Sequence, residues 1–159
     1  MTGDVLLREV IEADLPIFFE QQLDADANYM AAFTAKDPTD RAAFMARWAR
    51  ILSDETNINR TILCAGQVAG SIACYEEEAG RPEVTYWLGK PYWGKGIATA
   101  ALGAFLLQVT ARPMYARAAK DNLASLRVLE KCGFTIIGED KGFANARGKE
   151  IEEYLLQLG

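Results

Sequence analysis

Pro91-Tyr92-Trp93-Gly94-Lys95-Gly96-Ile97-Ala98 stands between an extended, β-rich run ending at Leu88 and a helical pattern that begins at Ile97. Gly94 and Gly96 let the backbone come close to a bulky group, and the helix beyond them presents N–H groups that lack intrahelical acceptors. Such a helix start, with Lys95 beside it, favours a phosphate. Two common phosphate loops do not fit. The GxxxxGK[ST] pattern is absent, and a dinucleotide fingerprint would read GxGxxG near the first strand, with an acid ~20 residues later. Here the run is Gly94-Lys95-Gly96-Ile97-Ala98-Thr99, it comes late, and the segment beyond it is basic.

Downstream, Ile97, Ala101, Phe105 and Val109 repeat at helical spacing beside a second row of Ala98, Leu102 and Leu106, which predicts a helix buried over a broad face. A strand over 114–118, a helix over 122–131 stopped by Gly133, and a strand over 134–137 follow. A turn through Ala144-Asn145-Ala146-Arg147-Gly148 leads into a closing strand at 150–158. Upstream, a strand at 5–10 precedes a helix starting at Asp14-Leu15-Pro16, and residues 24–36 read as an irregular or partly helical connector. Asp37 is the expected cap of the next helix, with Pro38 at its first position. The stripe Phe44, Met45, Trp48, Ile51 and Leu52 on that helix reads as core packing. Strands at 61–65, 67–75 and 83–88 complete a mixed α/β pattern without repeats or linkers, expected to form one domain over 1–159.

Composition narrows the function. The 159-residue, 17.5 kDa chain is 50% hydrophobic and 25% charged, enough for a core and too apolar for disorder. No run approaches the ~20 unbroken apolar residues of a membrane span, and Met1-Thr2-Gly3-Asp4-Val5 lacks the marks of a signal peptide. A cytoplasmic protein without a membrane partner is expected. Cys64, Cys74 and Cys132 are odd in number and show no CxxC pairing, which fits reduced, buried thiols. The chain has no histidine, so Ser-His-Asp and Cys-His nucleophile systems and His-rich catalytic zinc sites are excluded, and no metal is expected. A general base must be Asp, Glu, Lys, Tyr, Cys or an ordered water. Net charge is −5, yet residues 90–131 carry seven basic side chains against two acidic ones. Overall acidity argues against a nucleic-acid partner. The basic block suits a compact anionic ligand, although on charge counting alone a solvated helix face explains it too.

Three segments, in this order, resemble the core motifs of the GNAT N-acetyltransferase family: Val84-Thr85-Tyr86-Trp87-Leu88, Trp93-Gly94-Lys95-Gly96-Ile97-Ala98, and Asn122-Leu123-Ala124-Ser125-Leu126-Arg127-Val128-Leu129-Glu130-Lys131-Cys132-Gly133-Phe134. The tryptophan-bearing loop is most similar to the branch containing the ribosomal-protein N-terminal-alanine acetyltransferases. The resemblance implies a single-domain GNAT-like α/β fold, with a central, mostly antiparallel sheet, a splayed strand pair and about four flanking helices. It implies direct transfer of an acetyl group from acetyl-CoA, without a metal, to a primary amine of a small molecule or of a protein N-terminus. A homodimer is compatible with it. A non-catalytic acyl-CoA-binding module is the alternative from a different class, and a nucleotide-binding regulator a third reading.

The resemblance also assigns residues. Trp87 and Leu88 belong to the splayed strand that pairs with the pantetheine arm, and backbone N–H groups over 94–98 hold the pyrophosphate. Cofactor contact thus extends over Trp93, Gly94, Lys95, Gly96, Ile97, Ala98 and Thr99, with Asn122 and Ser125 beside the pantetheine. Asn122 equally suits a helix N-cap, and Ser125 a capping position. Glu83 occupies a position where relatives often carry a catalytic base; a plain acid at a strand end is the other reading, and Glu76, Glu77 and Glu78 offer a competing base. The backbone N–H of Leu88 is the expected oxyanion donor. Relatives often carry a tyrosine, the acid for the departing thiolate, where this chain has Leu129; Tyr86, Tyr92 and Tyr154 are the substitutes available. The acceptor is expected between residues 24–33 and 143–147, lined by Asn28, Tyr29, Phe33, Asn145 and Arg147, with acidic surroundings that favour a cationic amine.

Overall fold

The computed structural model describes residues 4–159. Met1, Thr2 and Gly3, on which the reading of the N-terminus partly rests, lie outside the described residues. Seven strands form one sheet: β1 (Val5–Glu9), β2 (Ile58–Cys64), β3 (Gln67–Glu76), β4 (Pro82–Leu88), β5 (Met114–Ala119), β6 (Thr135–Ala144) and β7 (Lys149–Leu158). Five helices accompany them: α1 (Leu15–Gln22), α2 (Ala25–Ala31), α3 (Arg41–Ser53), α4 (Ile97–Gln108) and α5 (Leu123–Lys131). The sheet runs β1-β2-β3-β4-β5-β7-β6, and every neighbouring pair is antiparallel except β4 and β5. That parallel pair meets at one position, Glu83 opposite Tyr115, and the strands then part. The splayed pair is therefore a feature of the fold.

Alternation along the strands sorts side chains onto two faces. On one face Ile62, Ile72, Cys74, Val84, Leu88, Met114, Ala116 and Leu156 form the main core with Ile97, Leu102 and Phe105 of α4 and Leu126 and Leu129 of α5. Ser71, Ala73, Tyr75, Glu83, Thr85, Trp87 and Arg117 look the other way, towards α1, α2 and α3. Gly70 permits the close pairing of β3 with β4, since a Cβ there would lie 2.0 Å from the Trp87 carbonyl oxygen. Helix α5 ends as expected. Gly133 adopts φ 97°, and the N–H groups of Gly133 and Phe134 donate to the carbonyls of Glu130 and Leu129.

The partly helical connector at 24–36 contains α2, because the Asp24 carboxylate accepts the Ala27 N–H at 2.9 Å and caps it, and it brings the helices to five where about four were expected. Three expectations change. Helix α3 is capped by Asp40 through the Ala43 N–H, while Asp37 binds the Thr39 N–H and hydroxyl in the preceding turn. None of the α3 stripe is fully buried. Phe44 and Trp48 instead meet Phe19 and Phe18 of α1 at 5.2 Å between ring centroids. Strand β6 extends to Ala144, because its polar second half pairs with β7 through Ala144 opposite Lys149.

A buried ionic network ties the first turn to the sheet. Asp14 accepts two hydrogen bonds from Arg8, at 2.7 and 2.8 Å, one from the Ile11 N–H and one from the Thr61 hydroxyl. Burial alone would raise its pKa, but the Arg8, Ile11 and Thr61 bonds and the Arg8 charge prevail and bring it to about 2. The unfolded carboxyl titrates near 3.8, so this folded-state value lies below it. Asp14 therefore contributes roughly 2 kcal/mol at every pH above ~4, a contribution lost as pH falls through about 2. Asp14→Ala is expected to lower the unfolding free energy by ~2–3 kcal/mol at pH 7, moderated because Arg8 regains water. Urea unfolding should show the gap between the two proteins closing below pH 3, and a constant gap down to pH 2 would contradict the assignment.

Candidate functional site

Because β4 and β5 diverge beyond Glu83, their facing edges have no ladder partner in each other over most of their length. The opening lies towards the carboxyl ends of both strands, where α4 and α5 begin. Gly96 caps α4 in the left-handed region at φ 76°, and the first ladder bond of the helix runs from the Ala100 N–H to the Gly96 carbonyl. The N–H groups of Ile97, Ala98 and Thr99 precede that ladder, at the positive end of the helix. Gly94 has φ 71°, and no atom lies within 4 Å of a Cβ built on it. The Trp93 indole donates to the Leu88 carbonyl at 2.9 Å and fastens the loop to the end of β4.

These parts enclose a groove of about 580 Å³. Of the residues that the resemblance assigns to the cofactor, Trp87, Leu88, Trp93, Gly94, Gly96, Ile97, Ala98, Thr99, Asn122 and Ser125 line it; Lys95 does not. Its basic residues are Arg127 and Lys131 of α5. The basic block thereby divides. Lys90 pairs with Asp26, Arg117 with Glu83 and Asp140, and Lys120 with Glu139 and Glu152, while Arg112 donates to backbone carbonyls. Arg127 and Lys131 remain to face an anion. Asn122 caps α5 through the Ser125 N–H and donates to the Met30 carbonyl at 3.3 Å, so it joins α5 to α2.

A second cavity, of about 860 Å³, lies between the outer sheet face and α1, α2 and α3. It meets the groove at Met30, Ala31, Tyr86, Trp87, Asn122 and Ser125, which line both. Of the residues named for the acceptor, Asn28 and Phe33 line it, whereas Tyr29, Asn145 and Arg147 do not. Those three join the two segments between which the acceptor was expected. The Arg147 guanidinium, its side chain 3% exposed, binds Asp121 bidentately, stacks 3.8 Å from the Tyr29 ring and donates to the Tyr29 carbonyl. Asn145 donates to the Thr34 carbonyl, and the Ala146 N–H to that of Ala32. At Tyr29, Asn145 and Arg147 the sequence reading thus named a clamp behind the cavity, and at Asn28 and Phe33 its lining.

Glu83 is only 6% exposed and lines this cavity, so it is not a solvated strand end. It accepts from the Tyr75 hydroxyl and from Arg117 Nε at 3.3 Å. Glu153, also buried, lies 3.7 Å from Arg117. Burial pushes the Glu153 carboxyl up against the pull of Arg117. Burial and the Glu83 bond push the Tyr75 phenol well above its usual range. Burial works against the Arg117 charge, but Glu83, Asp140 and Glu153 more than offset it. Tyr75 and Glu153 went unnoticed in the sequence, and Arg117 counted only as part of the basic block. They come together through non-local pairings, β3 with β4 and β5 with β7, that no local motif reveals. Of the competing acids, Glu76 lines the cavity and Glu77 pairs with Arg81.

The groove fits the long, anionic, amide-bearing CoA. Its chemistry comprises an anion-binding helix start, two cationic side chains, open strand edges that can accept an amide ladder, and a buried Trp87 Nε1 without a hydrogen-bond partner. The family model for the acetyltransferase (GNAT) domain matches residues 4–135. An uncharacterized N-acetyltransferase p20 of Bacillus licheniformis is 24% identical over 166 residues, covering 99% of this chain and 93% of its own. The ribosomal-protein-alanine N-acetyltransferase of Brucella melitensis superposes with TM-score 0.78 at 21% identity, over 96% of this chain and 98% of that one. The spermidine N-acetyltransferase of Vibrio cholerae, solved with CoA and spermine, superposes with TM-score 0.78 at 16% identity, over 96% and 95%.

Gly96→Val tests the loop. A β-branched residue at φ 76° is strained, and its methyls crowd the helix start. The variant is expected to lose a few degrees of melting temperature and to bind CoA at least ~10-fold more weakly by calorimetry. Unchanged affinity in the folded variant would place the anion elsewhere.

Proposed function

Because the chain belongs to the GNAT acetyltransferase family and is an acetyl-CoA-dependent N-acetyltransferase, we propose that it acetylates a primary, cationic amine, of a small molecule or a protein N-terminus, and that Glu83 is its base. The observation that carries this reading is the buried carboxylate of Glu83 in a cavity that opens onto the groove through Tyr86 and Trp87. Acetyl-CoA supplies a thioester carbonyl as electrophile. Backbone N–H groups over 94–99 hold its pyrophosphate, with Arg127 and Lys131 as counter-charges, and the edge of β4 aligns its amide arm. The Leu88 N–H is the proposed donor to the carbonyl oxygen.

Acceptor choice follows from charge. Asp54, Glu76, Glu83 and Glu153 line the cavity against Arg47 and Arg117, a surplus that attracts an ammonium group. An amine attacks only after losing a proton. The Tyr75 hydroxyl and Arg117 both donate to Glu83, and these bonds hold in place the carboxyl proposed to take that proton directly or through water. A volume of about 860 Å³ suits a small amine or the first residues of a peptide. The thiols of Cys74 and Cys132 and the use of acetyl-CoA favour the cytoplasm, and the reading takes residues 1–159 as one catalytic domain.

Glu83→Gln is expected to leave CoA affinity within ~2-fold and to lower turnover by ~100-fold or more near neutral pH. The deficit should narrow as pH rises, because more acceptor arrives already deprotonated. A Glu83→Gln enzyme of undiminished rate, with Glu76→Gln impaired instead, would move the base to Glu76.

A further inference from the structure

The junction of groove and cavity contains four side chains that carry a proton on nitrogen or oxygen: Tyr86, Trp87, Asn122 and Ser125. Asn122 directs its amide to the Met30 carbonyl. Trp87 can donate a hydrogen bond but does not release its proton. Tyr86 and Ser125 bind each other, hydroxyl to hydroxyl, at 3.0 Å. Two hydroxyls hold two protons, and the bond between them uses one. One O–H is therefore left for whatever occupies the junction.

The two hydroxyls differ in acidity. A phenol titrates near 10 and a thiol near 8.5, so a proton passes readily between them, whereas an aliphatic hydroxyl holds its proton far more strongly. Position 129, one turn beyond Ser125, is the apolar Leu129, 2% exposed within the core, and offers no alternative donor. Tyr154 stacks under Lys120, apart from both spaces. Tyr92 lines the groove alone.

We propose that Tyr86, held by Ser125, is the proton donor to the departing CoA sulfur. This rests on the acetyl-transfer reading above. The amine nitrogen forms its bond to the acetyl carbon, and the carbon–sulfur bond breaks with its electron pair going to sulfur. Sulfur takes the Tyr86 proton; Glu83, having passed the ammonium proton to solvent before attack, takes the nitrogen's remaining surplus proton; and solvent restores the phenol through Ser125. Ser125 is a positioning residue here, accepting or passing a proton but not meeting sulfur itself. Burial, the larger influence, lifts the Tyr86 phenol above its ordinary value against the Ser125 bond, so the donor stays protonated at neutral pH. Tyr86→Phe keeps the ring that packs on the core and removes only the hydroxyl.

The test compares CoA with desulfo-CoA by calorimetry between pH 7 and 9.5, in the unaltered protein, Tyr86→Phe and Ser125→Ala. A thiolate accepting a phenol proton binds by a charge-assisted bond. CoA should therefore bind the unaltered protein increasingly better than desulfo-CoA as pH rises, by ~10-fold or more at the top of the range. Tyr86→Phe should erase that preference while binding desulfo-CoA normally, and Ser125→Ala should reduce it only in part. The ultraviolet thiolate absorbance of bound CoA should titrate at higher pH in Tyr86→Phe. A preference that survives Tyr86→Phe, or that disappears only in Ser125→Ala, would overturn the proposal. Failure of the unaltered protein to bind either ligand would overturn the acetyl-transfer reading beneath it.

Discussion

The parallel contact between β4 and β5 is one residue pair long, and the site depends on that shortness. Each strand is held on its other side by an antiparallel partner, β4 by β3 over seven register pairs and β5 by β7 over six. Gly70 brings β3 and β4 into close register, and the Trp93 indole pins the carboxyl end of β4 to the loop beyond it. The other edge of each strand is already committed to that longer ladder, so the edges facing the gap are the ones left open. The divergence leaves backbone edges open inside the sheet, with helix starts at its wide end. Elsewhere unpaired edges are a liability; here they provide a slot.

The remaining architecture brings two spaces to that slot. On one face α4 and α5 bury the apolar side of β4 and β5 and present Arg127 and Lys131 to the groove. On the other, α1, α2 and α3 roof a cavity whose floor holds Glu83, Arg117 and Glu153. Helix α2 is the shared wall. Asn122 holds it from the start of α5, and Arg147 holds it through Tyr29 while gripping Asp121, the residue before Asn122. One buried guanidinium thus links the β6–β7 turn, α2 and the β5–α5 turn, and keeps Met30 and Ala31 at the junction.

The groove was far more legible in the sequence than the cavity. Apart from the α2 residues that wall it, its lining comes from three contiguous segments whose signals are local: paired glycines before a helix, an Asn that caps, and a Gly that stops. Ten of the eleven residues expected to hold the cofactor line it; Lys95, exposed and outside it, is the exception. The cavity draws its lining from helices and strands distant in sequence, so that lining follows from strand register and helix packing. Arg117 read as part of a basic block, yet it belongs with Glu83 and Glu153 because β5 sits between β4 and β7. Tyr29, Asn145 and Arg147 were correctly brought near one another, but polar and aromatic character could not distinguish a clamp from a lining. The α3 stripe likewise read as core because periodicity reports amphipathicity and does not say what the apolar face covers.

The most direct test supplies acetyl-CoA and a panel of primary amines, small cationic amines and short peptides with free N-termini, and follows thiol release together with the mass of each acceptor. The account predicts thiol release that depends on an amine, with one acetyl group gained by the acceptor for each thiol formed, and higher rates for acceptors bearing additional positive charge. Tight binding of acetyl-CoA with no acceptor acetylated across the panel would contradict it and would make the chain an acyl-CoA-binding module.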